Sequence, residues 1–111
     1  MKEIKAIIQP FMLLKVIAAL RKIEGLPGIT ISETKGFGKS GGKKGIADGG
    51  IFEFVTKNKI EVVVPDFLAD LVIDTIQKNA HTGNPGDGKI FVTEVVNVIK
   101  IRTNERGEIA I

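Results

Sequence analysis

Cysteine, tryptophan and tyrosine are absent from this chain of 111 residues, and histidine occurs once, at His81. Without cysteine there is no disulfide framework and no thiolate metal site, which suits a reducing compartment. With one histidine and only phenylalanine among the aromatics, the chain is poor material for a metal cluster or a base-stacking platform. Long apolar runs are missing too. No stretch approaches the length of a membrane-spanning helix, and Lys5, Pro10 and Lys15 interrupt any apolar core of a signal peptide. The expected setting is the cytoplasm.

What is present is ordinary in bulk and unusual in distribution. Hydrophobic residues make up 43% and charged residues 26%, the balance of a single globular domain. The formal charge is +3, which either a solvated lysine surface or an anionic partner would explain. Ten of the thirteen glycines, however, gather in two places. One is Thr82-Gly83-Asn84-Pro85-Gly86-Asp87-Gly88-Lys89, which is neither helix nor strand interior. Successive backbone N–H groups in such a turn can converge on an anion, with Lys89 as a fixed charge beside them. The other is the stretch 35–50, which has no hydrophobic period and is too long for a hairpin turn; it is expected to be mobile when free and ordered against something. Lys100 and Arg102 form a third basic cluster.

Between these lie periodic segments. Ile4, Ala6 and Ile8 alternate on a strand over Lys2–Gln9 that Pro10 ends. Leu13, Val16, Ile17 and Leu20 line one face of a helix stopped by Gly25 and Pro27-Gly28. A second strand spans Ile29–Thr34. Phe52, Phe54, Ile60, Val62 and Val64 mark a long third strand. Asp66 is the expected N-cap of a second helix with a buried stripe of Leu68, Leu71, Val72, Thr75 and Ile76. A fourth strand is expected from Ile90 to about Arg102, followed by a charged tail over 103–111. The order is βαββαβ, an α+β chain of the ferredoxin-like arrangement with a long loop between strands 2 and 3. Two helices cover one face of such a sheet. Ile7, Val63, Ile99 and Ile101 make the other phase apolar as well, so self-association is expected.

Several motifs fail on context. Gly38-Lys39-Ser40 resembles the end of a phosphate-binding P-loop, but Glu33 stands where that motif needs glycine and no helix follows. Gly36, Gly38 and Gly41 have dinucleotide-site spacing, again without the helix. Lys35-Gly36-Phe37-Gly38 begins like an RNA-recognition motif, then breaks at Lys39-Ser40 and lies on the second strand instead of the third. An RNA-binding domain of that type is the competing reading. His81 is a phosphotransfer candidate beside a glycine-rich turn, but reads more simply as a residue favoured at a helix C-terminus.

Ile7-Ile8-Gln9-Pro10-Phe11, Lys35-Gly36-Phe37-Gly38, Glu61-Val62-Val63-Val64-Pro65-Asp66, Thr82-Gly83 with Gly86-Asp87-Gly88-Lys89-Ile90-Phe91-Val92, and Ile101-Arg102-Thr103 occur in one order along nearly the whole chain. In this the chain resembles the PII signal-transduction proteins. The resemblance implies one domain over 1–111 that forms a homotrimer and binds adenine nucleotides, ATP or ADP and also AMP in some members, in clefts between subunits. Mg2+ would accompany ATP. By position, Gly86, Asp87, Gly88 and Lys89 would cradle phosphates in the B-loop (82–89), and Lys100 and Arg102 would reach them from the C-terminal segment. Ile7, Thr30, Glu61 and Val63 fall where the adenosine end is held. Gly36, Gly38, Lys39 and Lys57 lie at the base of the T-loop (35–50) near the terminal phosphates, and Ser40, Lys43, Lys44 and Ile46 belong to the part that docks on a partner. The implied role is regulatory and not enzymatic, any ATP hydrolysis being slow and secondary. The implied partner is a membrane transporter or a metabolic enzyme, and not a nucleic acid.

The departures are informative. The T-loop is shorter than usual and has no tyrosine, which excludes uridylylation of one. Ser40 stands where the family usually places a glutamine that helps chelate magnesium and 2-oxoglutarate. A hydroxyl on a shorter stem does not reach as that amide does, which argues against 2-oxoglutarate sensing; some PII-like members sense other metabolites, such as bicarbonate. Pro85 replaces an apolar residue, and Lys100 the usual arginine. The pattern is that of a divergent PII-like member.

Overall fold

A computed structural model describes residues 1–37, 46–47, 51–52 and 54–111. Strand β1 (Lys2–Ile8) leads through a 3₁₀ turn at Pro10–Met12 into helix α1 (Leu13–Leu20). Strand β2 (Thr30–Gly36) follows, then two short strands, β3 (Ile46–Ala47) and β4 (Ile51–Phe52). Strand β5 (Val55–Val64), helix α2 (Asp66–Ala80) and strand β6 (Gly88–Glu94) complete the main body. The four long strands form an antiparallel sheet in the order β2-β5-β1-β6. This is the ferredoxin-like α+β arrangement.

The alternation in β1 and β5 places Ile4, Ala6, Ile8, Ile60, Val62 and Val64 under the helices, all buried. Val16 and Leu20 of α1, with Leu68, Ala69, Val72, Ile76 and Ala80 of α2, close the core from above. Leu13 and Ile17 pack at its margin, as their spacing predicts. The stripe on α2 differs from expectation. Leu71 is 51% exposed, whereas Ala69 and Ala80 are buried. The buried residues follow the i, i+4 row Leu68-Val72-Ile76-Ala80, which puts Leu71 outside. Thr75 is not buried either; its hydroxyl donates to the Leu71 carbonyl at 2.7 Å.

Further boundaries are corrected. Pro65 occupies the N-cap position of α2, and Asp66 is its first helical residue, making no cap bond. The Asp66 carboxylate instead accepts from the Met1 ammonium at 2.9 Å, with Lys2 at 3.8 Å. Strand β2 reaches Gly36, because β5 is long enough to extend the ladder to a Gly36–Val55 pair. Phe52 belongs to a separate two-residue ladder with Ile46, not to the third strand. The fourth strand stops at Glu94, since its partner β1 begins at Lys2, opposite Glu94.

The segment expected to continue that strand and then trail away folds back instead. Asn97 accepts from the Val98 and Gly107 amides, and Ile99 bridges to Arg106. A 3₁₀ turn at Glu108–Ala110 buries Ala110. Ile99 and Ile101 therefore lie outside the sheet. Its open face, opposite the helices, is of mixed character: Ile7 and Val63 share it with Glu3, Lys5, Lys57, Lys59, Glu61 and Lys89.

Candidate functional site

Register alone gathers the sheet residues of the candidate site. Ile7 pairs with Lys59 on one side and Lys89 on the other, and Thr30 pairs with Glu61, which pairs with Lys5. Thr34 pairs with Lys57, and Gly36 with Val55. Because side chains alternate across a strand, Ile7, Thr30, Gly36, Lys57, Glu61, Val63 and Lys89 all belong to the open face. Four lysines (Lys5, Lys57, Lys59 and Lys89) share it with two glutamates (Glu3 and Glu61). Lys59 approaches Glu61 at 3.7 Å.

The turn from α2 to β6 is fixed at three points. Gly88 lies against β1 so closely that a Cβ on it would lie 1.7 Å from the Ile7 carbonyl oxygen, and its φ is +102°. Only glycine fits there. Lys57 donates to the Gly86 carbonyl at 2.6 Å, tying the turn to the strand that leaves the long loop. Within the turn, Asp87 accepts from the Thr82 amide at 2.8 Å, from the Gly83 amide at 2.9 Å and from the Thr82 hydroxyl. The Thr82 hydroxyl in turn accepts from the Asn84 amide at 3.1 Å.

These donors, led by the Thr82 hydroxyl and the Thr82 and Gly83 amides, hold the Asp87 carboxyl below its usual range; the nearby His81 has a smaller effect in the same direction. A folded-state pKa that is lowered contributes stability above the unfolded value and loses it as pH falls through the folded one. The turn is therefore expected to stay closed through the ordinary aspartate range, near ~3.9, and to open only below it. Following the Asp87 carboxyl carbon by NMR against pH checks this. A midpoint at or above the ordinary value would contradict the three-donor geometry.

Two clefts flank the sheet. One, of about 380 Å³, lies between the end of α2 and the turn, with Ile7, Gly88 and Lys89 at one wall and Gln77 and His81 at the other. His81 is the C-terminal cap residue of α2, in extended conformation. The second, of about 370 Å³, is lined by Thr30, Glu61 and Val63 together with Pro27 and the folded-back Val98 and Ile111. Ile7 thus falls with the turn and not with Thr30, Glu61 and Val63. Lys100 and Arg102 line neither cleft; they sit on a turn at 100–104, where Lys100 approaches Glu105 at 3.9 Å. Gly38, Lys39, Ser40, Lys43 and Lys44 lie outside the described residues, and Ile46 is placed only as a backbone partner of Phe52.

Sequence reasoning passed over five neighbours. Gln9 approaches Gly86 so closely that its Nε2 would be 2.9 Å from a Cβ there. Lys59 and Lys5 share the open face, and the period of two from Lys57 to Lys59 was the available signal. The rings of Phe37 and Phe54 meet at the neck of the long loop, 6.0 Å apart and tilted by 60°.

Residues 1–105 match the family model described as nitrogen regulatory protein P-II. The chain belongs to the nitrogen regulatory protein P-II family. Along its full length it is 50% identical to the nitrogen regulatory protein P-II of Azospirillum brasilense, and 48% to P-II 1 of Escherichia coli K12; in both cases all of each chain is covered. Its fold is similar to that of Arabidopsis thaliana PII bound to citrate, with a TM-score of 0.80 and 42% identity over 98% of this chain and 90% of that one. P-II proteins are signal-transduction regulators, not enzymes. The RNA-recognition reading gives way to the whole-chain match. On the open face β1 and β5 carry no aromatic residue; the aromatic side chain there is Phe91 of β6, opposite Lys5. Among the described residues, no helix is long and apolar enough to cross a membrane.

Proposed function

We propose that this P-II protein binds the phosphates of an adenine nucleotide, ATP or ADP, on the turn 82–89. Occupancy then biases the long loop 35–50, through which the protein controls a transporter or an enzyme of nitrogen or carbon metabolism. The observation that carries this reading is Gly88 over Ile7, with Lys57 bonded to Gly86. Glycine brings the main chain within reach of a ligand, and Lys57 and Lys89 supply cations on the same face. A bound nucleotide supplies a polyphosphate charge for which Lys57 would exchange its bond to Gly86. Since Lys57 lies on the strand that leaves the long loop, that exchange is a direct path from occupancy to loop conformation. Among the described residues no cluster of three His, Asp or Glu side chains is placed to hold a metal. Mg2+ would therefore arrive on the phosphates.

The site is completed between copies in a homotrimer. Lys89 and Thr30 sit on opposite edge strands, which are about 14 Å apart across three strand spacings. Lys100 and Arg102 line neither cleft of their own chain. A head-to-tail contact that sets the β2 edge of one copy near the β6 edge of the next closes into a ring and brings the adenosine wall to the phosphate turn. Citrate bound to the Arabidopsis relative supports a small carboxylate as co-effector.

Calorimetric titration with ATP, ADP and AMP in the presence of Mg2+, with and without 2-oxoglutarate or bicarbonate, tests this, with light scattering for three copies. ATP binding tightened by 2-oxoglutarate means that Ser40 does not prevent conventional sensing. Indifference to it with a response to bicarbonate assigns the other effector. No nucleotide binding removes the proposal and leaves the family standing.

A further inference from the structure

A carboxylate inside a phosphate-binding turn needs an explanation, because an unspent negative charge there repels the ligand. Resting on the proposed function, we infer that the Asp87 side chain positions the turn and touches neither nucleotide nor metal, its carboxylate serving as the pin that closes the turn from Thr82 to Asp87. Oδ2 accepts two main-chain amides, of Thr82 at 2.8 Å and Gly83 at 2.9 Å, while Oδ1 accepts the Thr82 hydroxyl. Both oxygens are thus engaged by donors that belong to the turn itself. Charge-assisted bonds of this kind are the strong ones. The Thr82 hydroxyl passes the constraint on by accepting the Asn84 amide, so one side chain organises the amides of residues 82, 83 and, through Thr82, 84.

The consequence lies downstream. Asp87 stands between Gly86, whose carbonyl Lys57 holds, and Gly88, which must pass over the Ile7 carbonyl. Turning the Asp87 side chain back toward Thr82 sets the main chain that presents Gly88 and Lys89 on the open face. The carboxylate stays ionised, but its oxygens are occupied by donors of the turn, while Lys57 and Lys89 supply the positive charge that attracts an anion.

Asparagine tests the idea, because its carboxamide oxygen can replace Oδ2 as acceptor of both amides while its NH2 donates to the Thr82 hydroxyl oxygen. Asp87→Ala and Asp87→Asn would be compared with the parent chain by ATP titration with and without Mg2+, and by amide hydrogen exchange of Thr82 and Gly83. Asp87→Ala is expected to weaken ATP binding at least tenfold and to lose protection of both amides. Asp87→Asn is expected to recover most of that affinity, keep the protection, and leave the effect of Mg2+ unchanged. Equal loss in both variants with the amides still protected would assign the carboxylate to the ligand or its metal and overturn the inference. Should the parent chain bind no adenine nucleotide, the proposed function fails by itself, and exchange still decides: protected amides in Asp87→Ala overturn the pin, and lost protection supports it.

Discussion

Replacing Gly88 by alanine is expected to destabilise the protein by about 4 kcal/mol or more, a size kept for a few mechanisms of which this combines two. The added Cβ would sit 1.7 Å from the Ile7 carbonyl oxygen and 2.8 Å from its carbonyl carbon, with the backbone at φ +102°. Both neighbours are main chain, so no side-chain rotation relieves the clash. The Gly88 end of β6 must lift from β1 and give up the Ile8–Gly88 and Ile7–Lys89 pairs. The left-handed backbone alone costs an L-residue about 1–2 kcal/mol. Denaturant unfolding at fixed protein concentration measures the total. A loss under about 1 kcal/mol would mean that the approach of β6 to β1 at Gly88 is looser than described. Gly86→Ala is a useful contrast: its nearest neighbours are the flexible ends of Gln9 and Lys57, so its cost is expected to be smaller despite a φ of +96°.

Ile60→Ala is expected to cost about 2–5 kcal/mol, toward the upper end. Ile60 is fully buried on a central strand, paired with Ala6 on one side and Ile31 on the other. Its small neighbour Ala6 leaves Ile60 to fill the space beneath the helices. Strands held by ladders on both sides cannot close in on the cavity, which is the circumstance that raises the cost within that range. Thermal unfolding should shift down by roughly 10–20 °C. Nucleotide binding below the transition should survive, because the side chain points away from the open face. A shift of only a few degrees would show that the core collapses around the gap.

The contrast between these positions shows what the sequence makes legible. Ile60 announces itself through period two, as do Ile4, Ala6 and Ile8, and the helical spacing of Val16 and Leu20 is equally plain. Those signals are local. The length of β6 is not local: Val95 to Arg102 look like strand, but the ladder ends where β1 begins. The exposure of Leu71 depends on how α2 lies against α1 and the sheet, and the role of Asp66 on a chain end 65 residues away.

The candidate site divides in the same way. That Lys57, Glu61 and Val63 share a face follows from their spacing, and register then adds Ile7, Thr30 and Lys89. The bond from Lys57 to Gly86, 29 residues apart, and the turn of Asp87 toward Thr82 need the folded chain. So does the separation of Ile7 from the cleft of Thr30, Glu61 and Val63, which divides the residues expected at the adenosine between two clefts.

The measurement that bears most directly on the proposed function is ATP titration of Lys89→Ala beside the parent chain, with the oligomeric state of both determined in the same buffer. Lys89 is exposed in the single chain and lines the cleft beside the turn, and the oligomeric state separates a lost phosphate contact from a lost assembly. Binding should weaken by about 1.5–3 kcal/mol, the range for a hydrogen bond to a charged group, or roughly ten- to a hundredfold. Unchanged affinity in an intact assembly would contradict the assignment of this turn as the phosphate site.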